Sequence, residues 1–224
     1  MRFPTIECED ELAKLVNRVG FLPFFKSGVP GLSVEEHIDP EFWFPDEGEG
    51  VWEWKGPAIR LSGCAYGKYF HNKAVFISRE WFPDFANYRR DGYDFDARYE
   101  DGLASYAEKR IYDTLTAAGS LLSKELKRES GFVGEGKKGF DTALTRLQMK
   151  GYITTEDFEY SVDSRGNFYG WGVARYTTPE ALFGPEFREC LYDRTPEESR
   201  ERILEHLGKL LPRAEEERLH RLLG

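Results

Sequence analysis

Three short helical patterns followed by two extended segments, all between residues 105 and 178, constrain the fold more than any other feature of the sequence. The first pattern covers Tyr106–Ala118, the second begins near Ser123, and the third carries apolar residues at helical spacing. Those of the third pattern are Phe140, Ala143, Leu144 and Leu147. The two extended segments flank "SVDSRGN", whose Asp, Gly and Asn residues suit a hairpin turn. Because three helices followed by a β-hairpin is the element order of a winged helix, we predict that fold here.

Patterns before this segment predict an N-terminal part of different character. It begins with an amphipathic helix, Glu9–Val19, which Gly20 ends, and it continues to a hairpin whose strands flank His71 and Asn72. Between the two, the stretch "VWEWKGP" from residue 51 alternates tryptophan with charged side chains and predicts a strand.

The C-terminal part carries two amphipathic helical patterns, and the first of them begins at a capping box formed by Thr195 and Glu198. The leucines of the second pattern are expected to pack back onto the chain or onto a partner. We therefore predict an α+β fold in three parts. They are a helix plus aromatic β-hairpin portion over residues 1–104, a winged-helix domain over 105–185 and a helical tail over 186–224.

Composition and charge narrow the classes of function. The net charge of −9 opposes broad binding to phosphate backbones, but residues 105–150 hold nine basic and six acidic side chains. No apolar run approaches the roughly 18 to 20 residues of a transmembrane helix, and the N-terminus lacks the apolar core of a signal peptide. We therefore predict a cytoplasmic protein without a membrane partner. Three cysteines and four histidines lack metal-binding spacing, and phosphate-binding glycine motifs are absent, so we predict no metal and no cofactor.

A winged helix that binds DNA inserts its third helix into the major groove and places the hairpin against the neighbouring backbone. The predicted nucleic-acid contacts therefore lie on the third helix, in the basic link before it and at the hairpin turn. They are Lys137, Lys138, Thr145, Arg146, Lys150 and Arg165. Acidic residues on the hairpin, such as Glu156 and Asp157, are unfavourable next to phosphates, so a winged helix that serves only as a scaffold is the alternative.

The stretch "VWEWKGP" supplies the best candidates for chemistry. Trp52 and Trp54 are candidates to stack an extruded base, and Glu53 or Lys55 is a candidate acid, base or nucleophile. Glu80 is a further candidate carboxylate. A buried aromatic strand with one solvent face is the simpler interpretation of the same residues.

A cleft between the aromatic hairpin and the winged helix is the second candidate pocket. Its predicted lining residues are Trp52, Trp54, Tyr66, Lys68, Arg89 and Arg90. The motifs "YGKYF" and "NYRR" also fit an aromatic seam between domains, with basic side chains whose stems lie along it.

Three stretches, in this order, carry a resemblance to a known family: "LAKLVNRVGFLPFF", "CAYGKYFHNKAVFISREWFPDFANYRR", and the segment from "RIYDTLTAAGSLLSKELK" to "GWGVARYTTPEALFG". Together they resemble the winged-helix DNA glycosylases of the AlkZ type, and more closely the shorter bacterial proteins related to AlkZ. The similarity covers residues 8–185. It implies a winged-helix fold, double-stranded or damaged DNA as partner, and a hydrolase that releases alkylated purines.

One part of that family's pattern is missing from the sequence. In those glycosylases the turn after the first helix carries a Gln-x-Gln or Gln-x-Asp pair, which is implicated in placing the attacking water. Here "GFLPFF" puts Pro23 and Phe25 at the two positions, and the chain's one glutamine, Gln148, lies in the third helix. We therefore interpret residues 19–25 as packing, and expect the family's chemistry to be absent.

Three functions remain open at this point. The first is a nucleic-acid-binding relative of the alkylpurine DNA glycosylases that lacks their activity. The second is an enzyme that acts on a flipped or modified base through relocated acid and base residues. The third is a scaffold or protein-interaction module, with the C-terminal helices as the surface for a partner or for self-association.

Overall fold

The computed structural model describes residues 5–46, 48–134, 138–162, 164 and 168–224. It combines α-helices with an antiparallel sheet, which confirms the predicted α+β class. The helices are α1 (Glu9–Val19), α2 (Val51–Ser62), α3 (Phe82–Arg90), α4 (Phe95–Glu100), α5 (Tyr106–Ala118), α6 (Ser123–Glu129), α7 (Phe140–Met149), α8 (Pro179–Phe183), α9 (Pro185–Cys190), α10 (Pro196–Leu210) and α11 (Glu216–Leu223). The strands are β1 (Phe21–Pro23), β2 (Ala65–Phe70), β3 (Lys73–Ile77), β4 (Ser120–Leu122), β5 (Thr154–Val162) and β6 (Phe168–Thr177).

The strands of the described residues form one antiparallel sheet in the order β1-β3-β2-β5-β6-β4. Strands β2 and β5 meet where Tyr66 pairs with Thr155. The hydroxyl of Thr154 reinforces this junction, because it accepts hydrogen bonds from the Tyr66 amide at 3.2 Å and the Tyr69 hydroxyl at 2.9 Å. The sheet therefore continues from the N-terminal part of the chain into residues 105–178.

Within residues 19–25, Val19, Phe21, Leu22 and Phe24 belong to the first hydrophobic core, in agreement with the packing interpretation, and Phe21–Pro23 form β1. Gly20 adopts φ of 77° between α1 and β1, and the Trp81 indole leaves no room there for a Cβ. Phe21 pairs with Ile77 of β3, and the side chains from Phe21 to Phe24 are buried. Phe25 is the exception, with 39% of its surface exposed.

The predicted hairpin around His71 and Asn72 is confirmed. Both residues adopt positive φ angles, 49° and 62°, which the tight turn between β2 and β3 requires.

The elements predicted between residues 105 and 178 are present, and α5 begins and ends where the sequence predicts. Its N-terminus is capped by Ser105, whose hydroxyl accepts a hydrogen bond from the Glu108 amide. Helices α5, α6 and α7 enclose a second core, separate from the first. Its members include Ile111, Leu115, Leu126, Phe140, Ala143, Leu144 and Leu147. The hairpin turn predicted between β5 and β6 lies mostly outside the described residues.

The predicted strand at "VWEWKGP" is wrong, because these residues begin helix α2. Four alternating residues are too few to distinguish a strand from a helix. The helical signal lies in the three- and four-residue spacing of Val51, Trp54 and Ala58, all of which are buried. Trp52 and Trp54 consequently lie on different faces, whereas Trp52 and Lys55 share one.

The C-terminal helices pack back onto the N-terminal part of the chain. Helix α10 lies against α3, where the His206 ring stacks on Trp81 at 4.1 Å between centroids. The apolar residues of both tail helices join the first core. They are Ile203, Leu207, Leu219, Leu222 and Leu223. In the part of the chain that the structure describes, no helix is both long and apolar enough to cross a membrane.

Candidate nucleic-acid interface

Helix α7 presents a polar face to solvent opposite the second core, although its Gln148 is buried. Thr142 and Arg146 are exposed, and Thr145 is half-buried beside them. Lys138 lies just before the helix and is also exposed. Lys150 is half-buried and caps the C-terminal end of the helix. Arg146 forms no ion pair with the described residues, so its guanidinium is open to an external anion. Two predicted contacts, Lys137 and Arg165, lie outside the described residues.

A groove of about 350 Å³ lies between α2, the loop before it and strand β6. Aromatic rings form most of its walls. They come from Trp43, Phe44, Trp52 and Trp171. The Trp52 ring lies 5.7 Å from Trp43 and 5.6 Å from Trp171 between centroids, with steep interplanar angles in both pairs. We call this feature the aromatic groove.

The rim of the aromatic groove exposes large aromatic surfaces. Trp171 is 71% exposed and Phe44 is 73% exposed, whereas most of the chain's large aromatic residues are buried or half-buried. Phe25 lies beside the groove, because its ring stacks on Trp43 at 5.8 Å with an interplanar angle of 15°. Exposed aromatic side chains around a concave site can stack against flat rings such as nucleobases.

The backbone around the aromatic groove is held by specific contacts. Glu53 accepts a hydrogen bond from the Gly50 amide at 3.0 Å and so caps helix α2. Tyr160 of β5 donates to the Trp52 carbonyl oxygen at 2.8 Å, and its ring packs against Gly172 where a Cβ would lie 2.7 Å from it. Glu53, a candidate acid or base, therefore has a capping role in this structure.

Lys55 extends from α2 among three aromatic rings. Its Nζ lies 4.3 Å from the ring centroid of Phe158, 4.8 Å from that of Trp52 and 5.8 Å from that of Phe24. Burial lowers the pKa of Lys55 from 10.5 to about 8, although the Glu53 carboxylate acts in the opposite direction. At pH 7 about a tenth of this amine is therefore in the nucleophilic, uncharged form, far more than for an ordinary lysine.

The residues predicted to share one cleft are dispersed. Trp54 and Tyr66 lie in the first core, and Trp52 lines the aromatic groove. Arg90 is buried and ion-paired with Glu180, with 2.6 Å between Nη1 and Oε1. The candidate carboxylate Glu80 and the strand residue Lys68 are both exposed.

Arg89 and Lys150, by contrast, come together in a second cleft of about 310 Å³. Sequence analysis assigned these two residues to different surfaces. Arg200 from α10 also lines this cleft, together with Tyr88, Asp91, Pro196 and Glu197. We call it the basic cleft. Within the described residues, no group of three or more His, Cys, Asp or Glu side chains is arranged to hold a metal ion.

Several residues of these sites were missed by sequence analysis. Trp171 lies between two glycines on β6. A large aromatic residue between two glycines in a predicted strand is the sequence feature that could have drawn attention to it. Phe44 comes from a loop without a distinguishing pattern, and Arg200 lies on the charged face of a predicted amphipathic helix, so the part each plays in a site depends on the fold.

Comparison with protein-family models gives one match, to the family described as AlkZ related, over residues 6–224. The chain belongs to the AlkZ-related family. No curated protein and no solved structure gives a significant match.

Pro23 is buried in β1, and Phe25 stacks on Trp43 beside the aromatic groove. Two titratable groups lie at the groove: Glu53 lines it, and Lys55 lies over the ring of Trp52.

Proposed function

We propose that this AlkZ-related protein binds nucleic acid, with residues 105–178 forming a winged helix inside a domain that spans 105–185. In this proposal α7 approaches the major groove of a duplex, and the β5–β6 hairpin approaches the neighbouring backbone. The aromatic groove receives a base that is unpaired or extruded from the stack. The observation that carries the proposal is the pair of highly exposed rings, Trp171 and Phe44, on the rim of a groove whose inner wall is also tryptophan.

The face of α7 supports a duplex-binding role for the helix. Its exposed residues are Asp141, Thr142 and Arg146, and Arg146 has no carboxylate partner among the described residues. The acidic side chains of the hairpin are partly neutralised in place. Arg175 pairs with Glu159 at 2.5 Å, and Arg60 pairs with Asp157. This neutralisation reduces the repulsion that these carboxylates would exert on phosphates.

Two substitutions are expected to separate the roles of the two surfaces. Trp171→Ala should remove any preference for a duplex with one unpaired base over a fully paired duplex, because base stacking on an aromatic side chain contributes about 1 to 3 kcal/mol. Arg146→Glu should weaken both duplexes equally, by about tenfold at low salt, because it acts on the phosphate backbone. Fluorescence anisotropy with the two duplexes at two salt concentrations measures both effects.

Arg213→Glu is the matched control for the change of charge. Arg213 is exposed in the loop between α10 and α11, and it lines neither the aromatic groove nor the basic cleft. The proposal fails if neither duplex binds at low salt, or if Arg213→Glu weakens binding as much as Arg146→Glu does.

The glycosylase chemistry of the AlkZ type is not part of this proposal. The side chains at the aligned positions, proline and phenylalanine, cannot orient a water molecule. Release of an alkylated purine from a duplex is therefore expected to be no faster with the protein than without it.

A second candidate function, an enzyme with relocated chemistry, is favoured by one observation: the lowered pKa of Lys55 beside the aromatic groove. An uncharged lysine amine attacks an aldehyde carbon, a C–N bond forms, and water leaves to give an imine. The open-chain form of an abasic deoxyribose carries such an aldehyde at C1′. Lys55 is thus a candidate for covalent capture of abasic DNA.

Covalent capture predicts that borohydride cross-links the wild-type chain to a duplex with one abasic site, because hydride reduces the imine to a stable amine. Lys55→Arg keeps the positive charge but cannot form the imine, so the cross-link should be lost. Lys209→Arg changes an exposed lysine of α10, away from the groove, and should leave the yield unchanged. A yield that is the same in all three proteins would contradict the role of Lys55.

The third function, an interaction module that uses the tail helices, has less support. Its signature would be an exposed apolar patch on α10 and α11. The leucines of those helices instead face the first core, and the large exposed apolar side chains of the described residues lie on other elements.

A further inference from the structure

The basic cleft collects cationic side chains from three separate parts of the chain. Arg89 comes from the last turn of α3, Lys150 from the C-terminal cap of α7, and Arg200 from the second turn of α10. Cations at the C-terminal ends of α3 and α7 are favoured by the helix dipoles alone. That effect does not explain Arg200, which lies near the N-terminal end of its helix.

The arginines of the basic cleft are positioned by an aromatic ring. The guanidinium carbons of Arg89 and Arg200 lie 5.4 and 5.9 Å from the centroid of the Tyr88 ring. Arg200 contacts His220 at 2.9 Å, and Arg89 donates to the Tyr69 carbonyl oxygen at 3.5 Å. These contacts fix the two guanidinium groups without neutralising their charge.

The cations of the basic cleft lack carboxylate partners among the described residues. Arg89, Lys150 and Arg200 form no ion pair with any described residue, whereas the adjacent Arg90 pairs with Glu180. The Asp91 and Glu197 carboxylates line the cleft, and neither reaches a cation closely enough to pair with it. The Nε atom of Arg89 is buried without a hydrogen-bond partner. The cleft therefore holds three cations that are not paired with the two carboxylates lining it.

The crowding of these cations is reflected in their pKa values. Burial lowers the pKa of Lys150, and the nearby Arg98 and Arg89 guanidinium groups lower it further, against a smaller opposite effect of Asp91. Burial likewise lowers the pKa of Arg89. A bound anion would relieve this unfavourable arrangement of charge.

We infer that the basic cleft is a binding site for a phosphate group, which Arg89, Lys150 and Arg200 contact together. Arginine guanidinium groups suit phosphate oxygens because their donors are arranged as a planar fork, and lysine adds a mobile point charge. The phosphate can belong to a nucleic-acid backbone or to a small phosphorylated molecule. The inference depends on the cleft alone, and does not require that the aromatic groove binds a base.

Titration calorimetry with inorganic phosphate, on the full chain at constant ionic strength, tests the inference. Arg89→Gln and Lys150→Gln should each weaken phosphate binding about tenfold, because each removes a charge-assisted hydrogen bond. Arg213→Gln removes a cation outside the cleft and should have no effect. Lys150→Arg keeps the charge and should retain binding, which distinguishes the loss of a ligand contact from the loss of the fold.

The same variants, tested with the fluorescent duplexes, identify the source of the phosphate. If duplex binding weakens in parallel and phosphate competes with the duplex, the group belongs to a nucleic-acid backbone. If duplex binding is unchanged, the ligand is a small phosphorylated molecule. Absence of phosphate binding in the wild type, or equal binding by the wild type and both glutamine variants, would overturn the inference. Failure of the groove and α7 variants to affect duplex binding would overturn the proposed function only.

Discussion

Glu180→Gln is expected to lower the free energy of unfolding by about 3 to 5 kcal/mol, because it leaves a buried guanidinium without its counter-charge. Only 2% of the Arg90 side chain is exposed, and its Nη1 lies 2.6 Å from Glu180 Oε1. Its Nη2 donates to the carbonyl oxygen of Gly151 at 2.7 Å, and its Cζ lies 4.6 Å from the centroid of the Tyr152 ring.

The charge of Arg90 persists in the folded chain. Burial alone would lower the pKa of Arg90, but the Glu180 carboxylate outweighs that effect, and the pKa is raised above its usual value. An arginine guanidinium stays protonated even without a carboxylate partner, so loss of Glu180 cannot be compensated by release of a proton from Arg90.

Glu186→Gln is the matched control for this substitution, since it breaks an ion pair at the surface. Arg79 and Glu186 are 3.0 Å apart, and their side chains are 55% and 83% exposed. The cost of breaking such an exposed pair is about 0 to 1 kcal/mol. Urea unfolding of both variants measures the contrast. Equal costs for the two would show that Arg90 does not depend on Glu180.

The Arg90 interaction also concerns function, because it connects the parts that carry the candidate sites. Through Gly151 it fixes the end of α7 to α3, which carries Arg89 of the basic cleft. The double variant Arg90→Met with Glu180→Gln should recover much of the lost stability. Phosphate binding in that variant would then report how far the cleft depends on this connection.

The sequence predicted the elements whose signals are local. Local signals of this kind are the capping residue Thr195, the turn at His71 and Asn72, and the apolar spacing of α7, each of which specifies structure over a few residues. These predictions are therefore confirmed at the level of helices, strands and their order.

Helix α2 shows where local signals fail. Its Trp-Glu-Trp-Lys alternation is compatible with the period of a strand and with that of a helix. Pro57 lies inside the helix, where proline is normally unfavourable. Helix α2 packs against strand β5, and these tertiary contacts support the helical conformation. Gly56 leaves room for the Asp157 carboxylate, which pairs with Arg60 one turn further along α2. A contact across about 100 residues of sequence has no local signature.

The candidate sites were predictable to a smaller extent than the fold. Sequence analysis named Trp52, Lys55, Arg89 and Lys150, because aromatic and basic residue types suit nucleic-acid chemistry. The sequence alone does not separate Arg89 from Arg90, because the two arginines are adjacent and share their neighbours along the chain. Arg90 is buried and paired with Glu180 of α8, whereas no carboxylate of the described residues pairs with Arg89. The distinction between a structural and a free arginine thus depends entirely on tertiary structure.

Lys55→Met is expected to make the folded chain more stable than the wild type at pH 7, by about 2 kcal/mol. The folded-state pKa of Lys55 is about 8, against 10.5 for an ordinary lysine. The charged form is therefore less favourable in the folded chain than in the unfolded chain. Attraction between the ammonium and the ring faces of Phe158 and Trp52 opposes this cost, at about 0.5 to 1 kcal/mol for each contact.

The advantage of Lys55→Met should shrink as the pH rises from 8 to 10.5. In that window the unfolded wild-type chain retains a proton on Lys55 that the folded chain has released, so the stability of the wild type increases with pH. Urea unfolding of the wild type and of Lys55→Met at pH 7 and pH 10 measures the change, and Lys209→Met controls for the loss of an exposed lysine. A difference between wild type and Lys55→Met that stays constant or widens would mean that the amine is well solvated. The aromatic surroundings would then not activate it, and covalent capture by Lys55 would lose its physical basis.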